Sequence, residues 1–211
     1  MSKKFASGPA YLQRERWEPS KVMEDVRRLQ LELSSFSSSL PDYMKLSDQN
    51  ISRWLQSKEK QVFVLIHGLL CTAHIDLYRF SLPGIRERGT PDLLKKLPHD
   101  FIVKSQKQAI AHAITLARFW ETIYNQSKAI QRGKLLLIGD YNIAPLVQQC
   151  AKVLMTAKQH ELYRDLTSHS TAPLWRNEPA DGPSVRRLVD SCLRILQPWS
   201  KVIPCVKSRV S

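Results

Sequence analysis

Glycine is scarce in this chain, with 7 in 211 residues, and long runs of β-branched residues are missing. A sheet-rich fold needs both, turn glycines at short intervals and strands rich in Val, Ile and Thr, so these absences argue against one. Only residues 62–65 and 135–138 read as short strands, and neither is long enough to decide between strand and helix. Cysteine is sparse as well: the four, Cys71, Cys150, Cys192 and Cys205, are far apart and show no CxxC pairing. That excludes a disulfide scaffold and points to reduced, mostly buried thiols in an intracellular protein. The N-terminus is polar and lacks the apolar segment of a secretory signal. No apolar run reaches the ~18 residues needed to span a bilayer, so a soluble protein with no membrane attachment is expected.

Acidic residues are the minority charge: 32 Lys and Arg stand against 19 Asp and Glu, a net charge of +13. The excess is spread thinly. It is +3 over residues 1–60, 0 over 61–80, +4 over 81–130, +2 over 131–170 and +4 over 171–211. No block of five or six basic residues occurs, and a nucleic-acid footprint needs a concentrated basic stripe. Direct DNA binding by this chain is therefore not expected.

What the sequence does contain is helical periodicity. Residues 1–20, with Pro9 and Pro19, form a loose lead-in. Val22, Val26, Leu29, Leu33 and Phe36 then recur at fours and threes, one apolar stripe on a helix capped by Ser20 and ended by Ser37, Ser38, Ser39 and Pro41. The stripe suits core packing better than a coiled-coil seam, which needs more heptads. A short helix is predicted over residues 48–55, capped by Ser47. The most apolar stretch, residues 57–84, predicts a central helix capped by Ser57 and stopped by Pro83 and Gly84. Val62, Phe63, Ile66, Leu69, Leu70, Ala73, Leu77 and Phe80 cover so much of its circumference that other helices should wrap it. Thr90 and Pro91 open a brief helix ending before Pro98.

Residues 99–131 predict a long helix, with Ile102, Gln106, Ala109, Ala113, Leu116, Trp120 and Ile123 on one face. The two alanines imply close approach of a neighbour, and Arg132-Gly133 breaks the helix. Residues 135–166 continue helically with a kink or break near 141–145, because Pro145 in a regular helix costs ~3 kcal/mol. Leu146, Cys150, Val153, Leu154, Ala157 and Leu162 carry the apolar face beyond it. Residues 167–183 read as a loop anchored by Trp175. Val185, Leu188, Val189, Cys192, Leu193 and Leu196 make a last helix, stopped by Pro198, Trp199 and Pro204. The expected fold is all-α, an irregular bundle of six or seven helices over residues 21–205 around a central apolar helix, with a tail at 206–211.

Two chemical readings follow from the residues alone. His67, Cys71 and His74 share a helical face at spacings of four and three, which permits a zinc site in a small helical metal-binding protein or metalloenzyme. Asp76 points about 140° away from Cys71 and makes a poor further ligand. Cys71 with either histidine has the residue types of a nucleophilic pair. However, mid-helix in apolar surroundings a thiolate lacks the stabilisation a nucleophile needs. Gly139-Asp140-Tyr141 lacks the glycine spacing of a nucleotide loop, and Asp140 is instead a candidate partner for Arg79. No catalytic residue is assigned and no enzyme is expected.

The segment HIDLYRFSLPG, residues 74–84, resembles the signature HxDLYRFxLPG of the regulatory region of fungal zinc-cluster transcription factors. LELSSFSSSLPDYMKLSDQNI at 31–51 resembles its approach, with the SLP turn and the LS and NI pairs. KSQKQA at 104–109, Gly139-Asp140-Tyr141, Gln149-Cys150 and TAPLWRN at 171–177 resemble its later part. The resemblance covers residues 25–205. It implies an all-helical middle homology region of a nuclear transcription factor. His74, Asp76, Leu77, Tyr78, Arg79, Pro83, Gly84, Gly139, Asp140 and Tyr141 would then be structural signature residues, with His74, Asp76, Tyr78 and Arg79 forming a buried polar network. Proteins of that family bind DNA through six cysteines holding two zinc ions. No such module is present in these residues, so zinc is expected only in that absent part and no cofactor here. A chain beginning inside the regulatory region would expose part of its central helix, which implies a protein partner or a second copy to cover it.

Overall fold

Pro19 opens the first helix. α1 spans Pro19–Ser39, with Glu18 at the cap position and no side-chain cap bond, so the expected Ser20 cap is replaced by a first-turn proline. Proline suits that position because the N–H it lacks would be unpaired there. The computed structural model describes residues 18–85, 90–131, 143–162 and 185–200. Among these, seven α-helices and no strand are found: α1, α2 (Asp48–Leu55), α3 (Lys60–Tyr78), α4 (Thr90–Leu94), α5 (His99–Gln131), α6 (Ile143–Gln159) and α7 (Val185–Ser200). Short 3-10 turns occupy Asp42–Met44 and Arg79–Ser81. The fold is all-α, as the periodicity predicts.

Several boundaries follow the sequence closely. Ser47 caps α2, its side chain accepting from the Asn50 N–H at 3.2 Å. α5 has its expected limits, and Ala109, Ala113, Leu116, Trp120 and Ile123 along its predicted stripe are all fully buried. Others differ. α3 begins at Lys60, because the Ser57 hydroxyl accepts from the Glu59 N–H at 3.0 Å one turn earlier instead of capping the helix. Residues 62–65 lie inside α3, which settles them as helix. α6 starts at Ile143, so Pro145 falls in the first turn, where a missing N–H breaks no helical bond. α7 runs on to Ser200, past the proline expected to stop it, since a single lost hydrogen bond does not end a helix already in its last turn. The breaker at 132–133, the strand-like 135–138 and the loop at 167–183 lie outside the described residues, as do residues 1–17 of the lead-in and the chain beyond 200. The end of the lead-in, Pro19 and Ser20, is already the first turn of α1.

α5 is the hub of the packing. It touches α2, α3, α6, α7 and the Arg79–Ser81 turn, while α3 is wrapped by α1, α2, α5 and α6. The face by which α3 enters this core is not the one its bulky aliphatics suggest. Phe63, Val64, His67, Gly68, Cys71, Thr72, His74, Ile75 and Tyr78 are buried, whereas Val62 and Leu69 remain 52% and 49% exposed. Small side chains decide this. Gly68 lies so close to its neighbours that a Cβ there would meet Leu146 Cδ1 at 3.2 Å and the Trp120 ring at 3.5 Å. The glycine lets α3 come close to α5 and α6, and Trp120 fills the space over it.

α1 divides in two. Val22 and Val26 are buried in the core, but Phe36 is 50% and Leu31 71% exposed. The predicted stripe thus packs only over its first half. By length and composition alone, Lys60–Ser81 is long and apolar enough to cross a membrane, with half of that window buried inside the fold. This corrects the expectation that no segment reaches that length, which counted only uninterrupted apolar residues and so stopped at His67, Thr72 and His74.

Gly68→Leu should lower stability by about 2 kcal/mol, because extra atoms at a packed three-helix contact force neighbours off their rotamers. Urea unfolding followed by circular dichroism measures it. An unchanged midpoint would mean that Gly68 is not held by Trp120 and Leu146.

Candidate functional site

The signature segment lies at the C-terminal end of α3 and in the turn after it. Its residues divide by helical spacing. His74, Ile75 and Tyr78 face the core, while Asp76 lies on the outer side. The His74 ring stacks on that of His112 from α5, with centroids 4.1 Å apart and planes 5° from parallel. Tyr78 continues the stack, its ring 6.3 Å from His112 and 7° from parallel. His74 Nδ1 and the Tyr78 hydroxyl are buried without a hydrogen-bond partner. Leaving such groups unpaired costs about 1–3 kcal/mol each, so these rings contribute through their faces and not through their polar atoms. Burial pushes the Tyr78 phenol up to about 12. Burial lowers His74 below its ordinary value. His112 drops to about 3, first by burial and then by the neighbouring His74. Both imidazoles are neutral at physiological pH.

Outside this stack, Arg79 Nε pairs with Asp76 Oδ1 at 3.0 Å. The Gln149 amide of α6 donates to the same carboxylate oxygen in a short bond. The polar network expected to be buried is therefore split: an aromatic layer lies inside, and the ion pair is half-exposed, with 36% and 47% of the two side chains open to solvent. Asp140, the other candidate partner for Arg79, lies outside the described residues with Gly139 and Tyr141. Leu77 is half-buried against the core. Leu82 is buried, Pro83 is half-buried, and Gly84 has φ 77°, a left-handed turn that favours glycine. The turn is pinned from two sides. The Ser81 hydroxyl donates to the Tyr78 carbonyl at 2.7 Å, and the Gln106 amide of α5 donates to the Ser81 carbonyl at 2.8 Å.

A second anchor lies at the other end of α3, around the turn joining α1 to α2. Three side chains bond its carbonyls. The Asn50 amide donates to Asp42 at 2.7 Å and to Lys45 at 2.8 Å. Trp54 Nε1 donates to Tyr43 at 2.9 Å. His67 Nε2 lies 2.8 Å from the Met44 carbonyl. Its ring also packs edge-on against Phe63 at 4.4 Å and Phe119 at 6.0 Å. Burial lowers His67, against a smaller opposite effect of that carbonyl.

The three residues of the metal reading thus serve different neighbours. His67 holds a turn carbonyl, His74 stacks on His112, and Cys71 is a fully buried thiol that burial pushes up to about 12. Among the described residues, no group of three or more His, Cys, Asp or Glu side chains could hold a metal ion. His112, Trp54 and Asn50 were not singled out as site residues by the sequence. The spacing of His112 from Gln108 and Leu116 on α5 carries no chemical signal of its own, although Asn50 sits within the NI pair of the resemblance. Across the helices, Asp76 meets Gln149, and Ser81 meets Gln106. Compared with protein-family models, curated proteins and solved structures, the chain matches none.

Acid should act on this layer in one direction. In the unfolded chain the histidines take up protons near 6.5, whereas in the fold His112 resists down to about 3. As pH falls through that window the unfolded state binds more protons, and stability declines, by on the order of 5 kcal/mol. His112→Phe keeps a stacking ring without the titration, and its stability should vary less between those limits. An unaltered acid limb in that variant would sink the assignment. The Arg79–Asp76 pair is open to solvent, so the coupling between Arg79→Ala and Asp76→Ala in a double-mutant cycle should be under about 1 kcal/mol. Thermal melts of the cycle distinguish this from a buried charge pair, whose loss costs about 3–5 kcal/mol.

Proposed function

We propose that this chain is a non-catalytic regulatory and interaction region of a fungal-type transcription factor, acting in the nucleus through protein contacts. The observation that carries the reading is the use made of the signature residues. His74 and Tyr78 stack on His112 of α5, Asp76 accepts from Gln149 of α6 and pairs with Arg79 of its own segment, and Gly84 makes the left-handed turn that follows. Residues that hold shape in this way serve a scaffold, and a scaffold acts through what its surface contacts. The resemblance of residues 25–205 to the middle homology region supplies the class.

The surface offers apolar side chains for such contacts. Leu29, Leu31 and Phe36 stand out from α1, and Val62 and Leu69 from α3. Exposed apolar residues grouped on one element mark interaction surfaces more often than isolated ones do. The distributed excess of positive charge adds solubility and long-range attraction to acidic partners.

Light scattering across a concentration series should show self-association of the purified chain. Leu29→Ser combined with Phe36→Ser should weaken it roughly tenfold, the effect of about 1.4 kcal/mol of lost apolar burial. Fusion of the chain to an unrelated DNA-binding module should alter transcription of a matching reporter. A monodisperse monomer whose fusion leaves the reporter unchanged would defeat the proposal. So would stoichiometric zinc in the purified protein that is lost on His74→Ala, which would favour a metal-binding protein built on His67, Cys71 and His74.

A further inference from the structure

Cys150 of α6 and Cys192 of α7 are 42 residues apart in sequence, yet their sulfurs lie 3.9 Å apart. Both are fully buried. The Cys192 thiol donates to the Cys150 sulfur, and the Cys150 thiol donates to the Ala113 carbonyl of α5 at 3.1 Å. The two thiols are thus aimed along one line, from α7 through α6 to the hub helix. Cys71 of α3 is a third buried thiol, close enough to act on Cys150 through space.

A disulfide needs its sulfurs at about 2.0 Å, with side chains meeting from facing backbones. The two sulfurs, in contact across packed helices, start about 2 Å from that separation. We infer that Cys150 and Cys192 form a reversible dithiol–disulfide pair that bolts α7 to α6 when the protein meets a hydroperoxide. The step balances. One thiol gives up its proton and the thiolate attacks the terminal peroxide oxygen. The O–O bond breaks, a sulfenic acid forms, and the departing oxygen takes the proton to leave as water from hydrogen peroxide or as an alcohol from an organic hydroperoxide. The second thiol then attacks the sulfenic sulfur, forms the S–S bond and releases the sulfenic hydroxyl as water. The two cysteines together lose two electrons and two protons, and the peroxide gains them.

The resting pair is guarded. Burial, and then Cys192, hold the Cys150 thiol well above its ordinary value, so little thiolate exists in the closed fold. Oxidation therefore proceeds through states in which α7 lifts from α6, and the disulfide captures their closure. Two contacts between α7 and α5 open with that motion: Arg187 Nε to Glu121 Oε1 at 2.8 Å, and Arg194 over the Tyr124 ring at 5.9 Å.

The test is peptide mapping of the full chain after hydrogen peroxide treatment under native conditions, with thiols blocked before digestion. The expected product is an intramolecular Cys150–Cys192 peptide, removed by dithiothreitol, that also forms in Cys71→Ser and Cys205→Ser. It should form faster at alkaline pH. The oxidised protein should melt on the order of 10 °C higher, because the bridge closes a long loop in the unfolded chain. Cys192→Ala, checked for helicity by circular dichroism, should lose both the cross-link and the rise in melting temperature. If that variant does not fold, the wild-type peptide map decides alone. The inference is overturned if the folded protein yields only sulfinic acids or no cross-link. It is equally overturned if Cys150 pairs with Cys71, or if the bridge appears only in denaturant.

Discussion

How closely two helices can approach depends on the side chains between them, and here one absent side chain governs the arrangement. At Gly68 the backbone of α3 comes within reach of Trp120 on α5 and Leu146 on α6. From that point the same face of α3 runs through Cys71, Thr72, Ile75 and Tyr78 into the core. α5 answers with Ala109, Ala113 and Ala117, all fully buried. Small residues on both sides bring the backbones together, and large rings fill what remains: Phe63, Phe119 and Trp120 above, His74, His112 and Tyr78 below. Packing of this kind gains dispersion contacts over much of each buried surface, and a single added methylene is felt.

Close approach brings polar groups inside, and the fold deals with them in two ways. Around the α1–α2 turn they are paired. Asn50, Trp54 and His67 bond successive carbonyls of the short 3-10 turn and its end, so their acceptors are satisfied. At the far end of α3 they are tolerated. The nitrogen of His74 and the hydroxyl of Tyr78 remain without partners while their rings stack. The first anchor fixes where α3 starts relative to α2, and the second fixes where it ends relative to α5. Gln106 and Gln149 reach the signature turn from the two helices behind it, so the turn reports on the placement of α5 and α6 together.

Much of this was legible in the sequence. The limits of α2 and α5 could be read because caps and prolines act locally, and Ser47 and Pro98 do so here whatever the fold around them. The face of α3 could not be read from bulk. Two apolar faces compete on that helix, and the one with Gly68, Cys71 and Thr72 enters the core because its smallness suits α5. A rule that ranks faces by large aliphatics selects Val62 and Leu69 instead. The residues of the signature were identified, but their partners were not. His112 looks like any polar residue on a long helix until α3 lies across it. The buried polar network implied for His74, Asp76, Tyr78 and Arg79 does not form as one unit, because α3 is turned so that Asp76 and Arg79 lie at the rim, where Asp76 meets α6.

α1 shows what half a partner does to a helix. Its first turns lie against the core at Val22 and Val26, and its last turns carry Ser34, Ser35, Ser37, Ser38 and Ser39, where Ser38 and Ser39 hydroxyls bond back to the carbonyls of Ser34 and Phe36. Serine favours helix interiors weakly, and such back-bonding competes with the helical ladder. Amide-exchange protection should therefore grade downward along one continuous rod, from near global opening energies at its root to little at its tip. A rod with that gradient can lengthen its ordered part when its tip is covered, so that contact at the far end is registered as added order near the core.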